Sequence, residues 1–271
     1  MEGTAIINIC YGLYFYSKFS FLKKYKGFLM DFPLTAEQAV MALVIVILGA
    51  VLQGSVGFGL GPFAVPLLVL IDQRFVPGAL LCAAITLNFL VFWRERNDVD
   101  SGDLRWMIFG RIAGTILGAG IILIFPKDKL SLLFAVMILL AVFFSISGIK
   151  LAVNIKNLFS AGILSGVMSV TASIGGAPLA LLYQDNPGPR LRSTLAALFF
   201  FGTIIAVIAL AVIGRFGWLE IKLALLLFPG ILFGFYLSKF MTGFLDRGFM
   251  KPAILLVSGG AAAALIVQQF I

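Results

Sequence analysis

Histidine is absent from this 271-residue chain, and only two cysteines occur, Cys10 and Cys82. Without histidine the commonest general base is missing, and Ser-His or Cys-His hydrolase chemistry is excluded. Cys82 lies in an apolar run as a small packing residue. No disulfide framework, zinc site or haem site follows from this count, so neither a metal nor another cofactor is expected. Charge is also scarce: Asp, Glu, Lys and Arg make up 12% of residues, about half the share of a soluble domain. No Asp or Glu lies inside an apolar segment, which argues against a carboxylate relay for protons or sodium. No P-loop is present, so direct use of ATP is not expected.

Hydrophobic residues fill the space, at 61% of the chain, too many for a polar surface to cover. The fold class is all-α integral membrane, because a spanning segment must satisfy its own backbone and no strand alternation competes. The formal net charge of +8 falls between the apolar runs. It marks membrane flanks rather than a continuous basic face, so the expected partner is the lipid bilayer and not nucleic acid.

Six segments are long and apolar enough to span, near residues 77–93, 106–125, 130–149, 194–213, 219–240 and 251–270. Two further blocks, 36–71 and 157–183, are apolar but glycine-rich in the middle, which makes about eight hydrophobic segments in all. The blocks repeat each other. Gly54 and Pro66 match Gly166 and Pro178 at an offset of 112, and the same offset pairs Pro77 with Pro189. Gly114 and Gly118 match Gly230 and Gly234 as small-xxx-small faces for close helix approach. Repeat 1 is assigned to residues 36–152 and repeat 2 to 153–271, with 1–35 as an N-terminal segment. Met30 opens MDFPLTAEQAV like a natural start, so residues 1–29 read as an extension from a mis-assigned start, with a peripheral amphipathic segment as the alternative.

Topology turns on the two blocks. If each crosses once, the repeats are parallel and Lys and Arg beyond residue 29 divide 8 to 8. If each is a re-entrant hairpin, the repeats are inverted and the tally is 5 to 11. The rich side holds Arg94, Arg96, Arg105, Lys150, Lys156, Arg190 and Arg192 and would be cytoplasmic, with both termini outside. The inverted form is preferred and suits a secondary transporter.

Irregular backbone inside hydrocarbon is tolerated only where protein or a water-filled cavity surrounds it. A half-helix starting at such a break turns free N–H groups toward an anion. The expected substrate-binding residues therefore cluster at the breaks. In the first half they are Gln53, Gly54, Ser55, Gly57, Gly59 and Gly61, with Thr86 and Asn88 on the next helix. In the second half they are Ser165, Gly166, Ser169, Thr171, Ser173, Gly175 and Gly176, followed by Thr194. The set is neutral, and the expectation is a site with no buried Lys or Arg, loose enough to release its anion. Against this stand blander roles: glycines for packing, hydroxyls bonded back to their own helix, arginines as flank anchors.

The motifs GAVLQGSVGFGLGPFAVPLL and AGILSGVMSVTASIGGAPLALLY, with GALLCAAITLNFLVFW after the first, resemble the TauE/SafE family of sulfite-exporter-like transporters. The resemblance covers residues 36–270. It implies a helical carrier of the bacterial inner membrane for sulfite, sulfoacetate or related organosulfonates. On this chain the family's motif glycines would be Gly54, Gly57, Gly59, Gly61, Gly162, Gly166, Gly175 and Gly176, with Pro66 and Pro178 as motif prolines. Phe58 and Leu60 interrupt the dense glycine run of many members, and Pro62 follows at once. The resulting reading is a secondary transporter for a small anion rather than an enzyme, with the coupling ion open. Alternatives are a passive channel for small anions or neutral solutes and, behind it, a membrane enzyme or assembly factor.

Overall fold

The computed structural model describes residues 34–126, 129–147, 151–183 and 188–245. The chain forms two compact units, Met1–Val40 and Met41–Ile271. The first contributes only the opening turn of α1 to the described residues, and residues 1–29 and the span expected at 251–270 lie outside them. Every regular element described is helical: α1 (Ala36–Val56), α2 (Leu60–Ile71), α3 (Gly78–Glu95), α4 (Ser101–Ile124), α5 (Leu130–Ile146), α6 (Ile155–Ala172), α7 (Ala177–Leu182), α8 (Gly188–Val212) and α9 (Trp218–Leu245). Six are long and apolar enough to cross a membrane, but not the six expected. α1 and α6, the first arms of the glycine-rich blocks, are among them, while the expected span at 130–149 falls, with Leu60–Ile71, among the shorter apolar helices as Leu132–Phe144. Exposed Ile116, Leu117, Leu123, Phe233 and Phe240 give these helices apolar outer faces suited to lipid.

Both glycine-rich blocks are broken where the sequence places the breaks. The first ends α1 at Val56 and restarts at Leu60, and the second ends α6 at Ala172 and restarts at Ala177. Gly57 and Gly59 supply φ of 96° and 137°, conformations that a side chain would strain. Ser173 takes the corresponding left-handed position in the second break, with φ 59°. At both breaks the chain folds back. Gly49 of α1 lies against Leu60 and Ala64, so α2 returns along α1, and Gly175 lies against Ser165 and Ser169 of α6. At about 1.5 Å per residue α2 is roughly 18 Å long, too short to span.

Glycines then set how closely the helices approach. Gly110 and Gly114 of α4 face the backbone of Phe159 and Ile163 on α6, while Gly162 and Gly166 of α6 face the backbone of α4 from Met107 to Thr115. Gly230 and Gly234 of α9 face Leu43, Ile47 and Ala50 of α1. Both small-xxx-small faces thus pack on a helix that ends at a break, α4 on α6 and α9 on α1. Pro66 sits buried inside α2, and Pro178 sits in the first turn of α7, where its missing N–H costs nothing.

Because a Cβ at Gly114 would fall on the Ile163 carbonyl, whereas one at Gly120 meets nothing within 4 Å, the two glycines should respond oppositely. Gly114→Ala is expected to lower the melting temperature of the detergent-purified protein by several degrees. Gly120→Ala should leave it unchanged or raise it, in line with the roughly 0.8–1 kcal/mol helix preference of Ala over Gly.

Candidate functional site

The two breaks meet. Gly61 at the start of α2 touches the Ser173 carbonyl and the Ile174 Cα, and Gly176 packs on the Phe58 side chain. Around this crossing lies a cavity of about 40 Å³, lined by Gln53, Phe58, Gly59, Leu60, Gly61, Leu80, Leu81, Ala84, Asn88, Arg111, Ser169, Ser173, Gly176, Phe199 and Thr203. At about 10–15 Å³ per water it has room for roughly three waters, the size of a small oxyanion.

Arg111 corrects the expectation of a site with no buried cation. It sits inside α4 with 1% of its surface exposed. Its Nη1 donates to Ser165 Oγ at 2.5 Å and its Nη2 to Ser169 Oγ at 2.8 Å. Its guanidinium carbon lies 5.3 Å from the centre of the Phe199 ring. Its Nε has no partner, and among the described residues no carboxylate pairs with it. A Cβ at Gly202 of α8 would fall on this guanidinium, so that glycine makes the room for it. A charge at the centre of a membrane helix costs about 2.5–3.5 kcal/mol even on insertion scales. Two hydroxyl acceptors and an aromatic face offset part of that without cancelling the charge. Arg111 is not among the residues expected from the sequence, where only the carboxylates inside apolar segments were weighed. The usable signal was its depth, five residues inside the run that opens at Trp106, with Gly110 and Gly114 beside it.

Of the residues expected from the sequence, Gln53, Gly59, Gly61, Asn88, Ser169, Ser173 and Gly176 line the cavity. The others lie elsewhere. Ser165 is behind Arg111 as a hydrogen-bond acceptor. Gly166 packs on α4, and Gly175 packs on α6. Gly54 faces Ser238, while Gly57 faces Arg192. Ser55 Oγ donates to the Ser238 carbonyl at 3.2 Å. Thr171 Oγ1 donates back to Val167 of its own helix at 2.6 Å, and Thr86 is half-buried away from the cavity. Thr194 Oγ1 accepts from the Asp100 amide at 3.1 Å.

Three of the amides at the breaks are already bonded within the protein. The Leu60 amide at the start of α2 already donates to Gln53 Oε1 at 3.2 Å. In the second break the Ser173 and Ile174 amides turn back to Ser169 and Met168, closing the end of α6.

Two arginines read as flanks do other work. Where α1 ends, its last carbonyls lose their helical partners. Arg94 Nη2 donates to Gly54 O at 2.5 Å, and Arg192 Nη1 donates to Ser55 O at 3.3 Å. Glu95 joins them, accepting from Arg94 Nη2 at 2.6 Å and from Arg192 Nε at 2.9 Å. Cationic groups there also suit the negative end of the helix dipole. Arg96 and Arg105 do lie at the rim, over the rings of Trp93 and Trp106 at 4.4 and 5.4 Å. Asp100 caps α4 by accepting from the Gly102 and Asp103 amides, and it pairs with Arg190. The hydrogen bond from the Asp103 amide, then Arg190, holds the Asp100 carboxyl below its usual range.

Six apolar helices of spanning length, five of which line the cavity, mark a multi-pass membrane protein. The chain belongs to the sulfite exporter TauE/SafE family, whose model matches residues 41–265. It is thus a membrane transporter of the sulfite-export type, a family of transporters rather than enzymes. Comparison with curated proteins and with solved structures gave no match.

Glu95→Gln would leave Arg94 and Arg192 around α1 without their shared counter-charge. A loss of about 1–3 kcal/mol is expected, below the 3–5 kcal/mol of a fully buried pair because Glu95 keeps some solvent contact. A thermal melt checks it, and an unchanged melting temperature would show that the three residues are not coupled.

Proposed function

We propose that this protein is a secondary transporter that carries a small oxyanion of the sulfite type across the bacterial inner membrane, with Arg111 as the charge that binds it. The observation that carries this reading is a buried guanidinium with no acidic partner among the described residues, facing a cavity otherwise lined by neutral groups. An anion about 4 Å from that charge gains on the order of 4 kcal/mol at an effective dielectric constant near 20, or about a thousandfold in affinity. The Ser165 and Ser169 hydroxyls and the Phe199 face hold the cation while no anion is there. The small cavity volume favours sulfite over the larger sulfoacetate.

The repeats are read as inverted hairpins. Along α3, which runs from Gly78 to Glu95, the first break lies at the Arg94 end, through the bond from Arg94 to Gly54. The second lies at the other end, through the bond from Ser173 Oγ to Pro77 O at 3.0 Å. Two breaks reaching a common cavity from opposite ends of one spanning helix support alternating access around a fixed site. A reporter fused after Ile271 should be active only outside the cytoplasm, and cytoplasmic activity would overturn the inverted topology.

Purified protein should be stabilised by sulfite more than by sulfate, sulfoacetate or a matched carboxylate, as linkage requires of a bound ligand. Arg111→Met should remain folded, because an apolar residue replaces a costly buried charge. It should lose that stabilisation and fall in affinity by about a hundredfold to a thousandfold. Unchanged sulfite binding by Arg111→Met would remove Arg111 from the site. Saturable counterflow in proteoliposomes separates a carrier from a passive channel, which would show none.

A further inference from the structure

Two carboxamides that line the cavity form a chain whose direction is set by the backbone. The Leu60 amide is a donor and nothing else, and it lies 3.2 Å from Gln53 Oε1. The carbonyl end of Gln53 must therefore face it, since the reverse orientation would set two donors against each other. That leaves the Gln53 Nε2 group to donate onward, and it reaches Asn88 Oδ1 at 2.6 Å. Asn88 is fixed in turn: its oxygen is taken, so its Nδ2 points away from Gln53. Asn88 is 2% exposed, lines the cavity with Arg111, and its Nδ2 has no hydrogen-bond partner among the described residues.

We propose that Asn88 is the amide donor of the cavity, and that Gln53 is a positioning residue which holds Asn88 in the donating sense without binding the anion itself. The proposal rests on the anion reading above. It gives the first break a role that its amide cannot perform directly. The donor character of the α2 N-terminus passes through two side chains to a group that faces the cavity. A buried carboxamide left free to rotate would offer its oxygen as readily as its nitrogen. The relay removes that choice, so an anion meets N–H groups and a cation or an acceptor-poor neutral solute meets nothing that suits it. Asn88 thus adds to the donor-only Arg111 a second donor that is neutral, which lets the anion leave again, and whose polarity is held by Gln53.

The test uses the full chain, purified, with inorganic sulfite as the probe and affinity read by calorimetry. Asn88→Leu removes the donor and Asn88→Asp replaces it with an acceptor of the same shape that still receives the Gln53 hydrogen bond. Each is expected to weaken sulfite binding by about tenfold to a hundredfold, the range of a hydrogen bond to a charged group. Gln53→Met should weaken binding in the wild-type background and add nothing in Asn88→Leu, because Gln53 acts only through Asn88. If Gln53→Met weakens binding equally in both backgrounds, Gln53 touches the anion and the positioning role is overturned. If Arg111→Met loses sulfite but both Asn88 variants bind it as the wild type does, the relay fails while the anion site stands. If the wild type itself binds no sulfite, the anion reading fails and the relay with it. Should Asn88→Leu not fold, Asn88→Asp carries the same comparison.

Discussion

A helix interrupted inside hydrocarbon must find protein partners for the backbone groups it releases, and this requirement organises the structure. In the first break, Arg94 and Arg192 take the last carbonyls of α1, while Gln53 takes the first free amide of α2. In the second break, the Ser173 and Ile174 amides close onto α6 itself, and Ser173 Oγ reaches across to Pro77. The partners come from α3 and α8 as well as from the broken elements, so meeting the backbone requirement also ties the spanning helices together around the breaks.

Arg111 is the exception to this economy of satisfied groups. It is buried at the centre of α4, its charge is unmatched among the described residues, and the helices make special provision for it. Gly202 clears the space, Ser165 and Ser169 accept from the guanidinium, and Phe199 faces it. Intramembrane charges are costly, and this one is kept outside an ion pair among the described residues. The close α4–α6 contact through Gly110, Gly114, Gly162 and Gly166 gains a second purpose here. It brings the serines of α6 within hydrogen-bond reach of an arginine on α4, which bulkier residues at the contact would prevent.

The paired breaks are alike in sequence and unlike in detail. The first uses two glycines at positive φ and borrows arginines from other helices. The second uses one serine at positive φ and caps itself. Asymmetry of this kind is what two halves need if they are to surround a single substrate while meeting it with different groups. Phe58 and Leu60, which interrupt the first glycine run, both line the cavity, and Phe58 supplies the surface on which Gly176 rests.

The sequence by itself determined the membrane class, the helical content, the two breaks and the pairing of Gly114/Gly118 with Gly230/Gly234. Those follow from composition, run length and residues whose backbone preferences are strong and local. Seven of the expected site residues line one cavity, because the two breaks touch at Gly61 and Ser173. Only the tertiary structure decided which hydroxyls face that cavity and which bond back to their helices. Serine and threonine satisfy either role, and the choice depends on neighbours distant in the chain. Tertiary structure alone also separated Arg94 and Arg192 from the rim. Depth within an apolar run sets Arg111 apart in sequence from a flank arginine, but it does not tell a cap from a binding site. An arginine's meaning is fixed by what lies within a few ångströms of its guanidinium: Ser165, Ser169 and Phe199 around Arg111, Glu95 and the α1 carbonyls around Arg94 and Arg192.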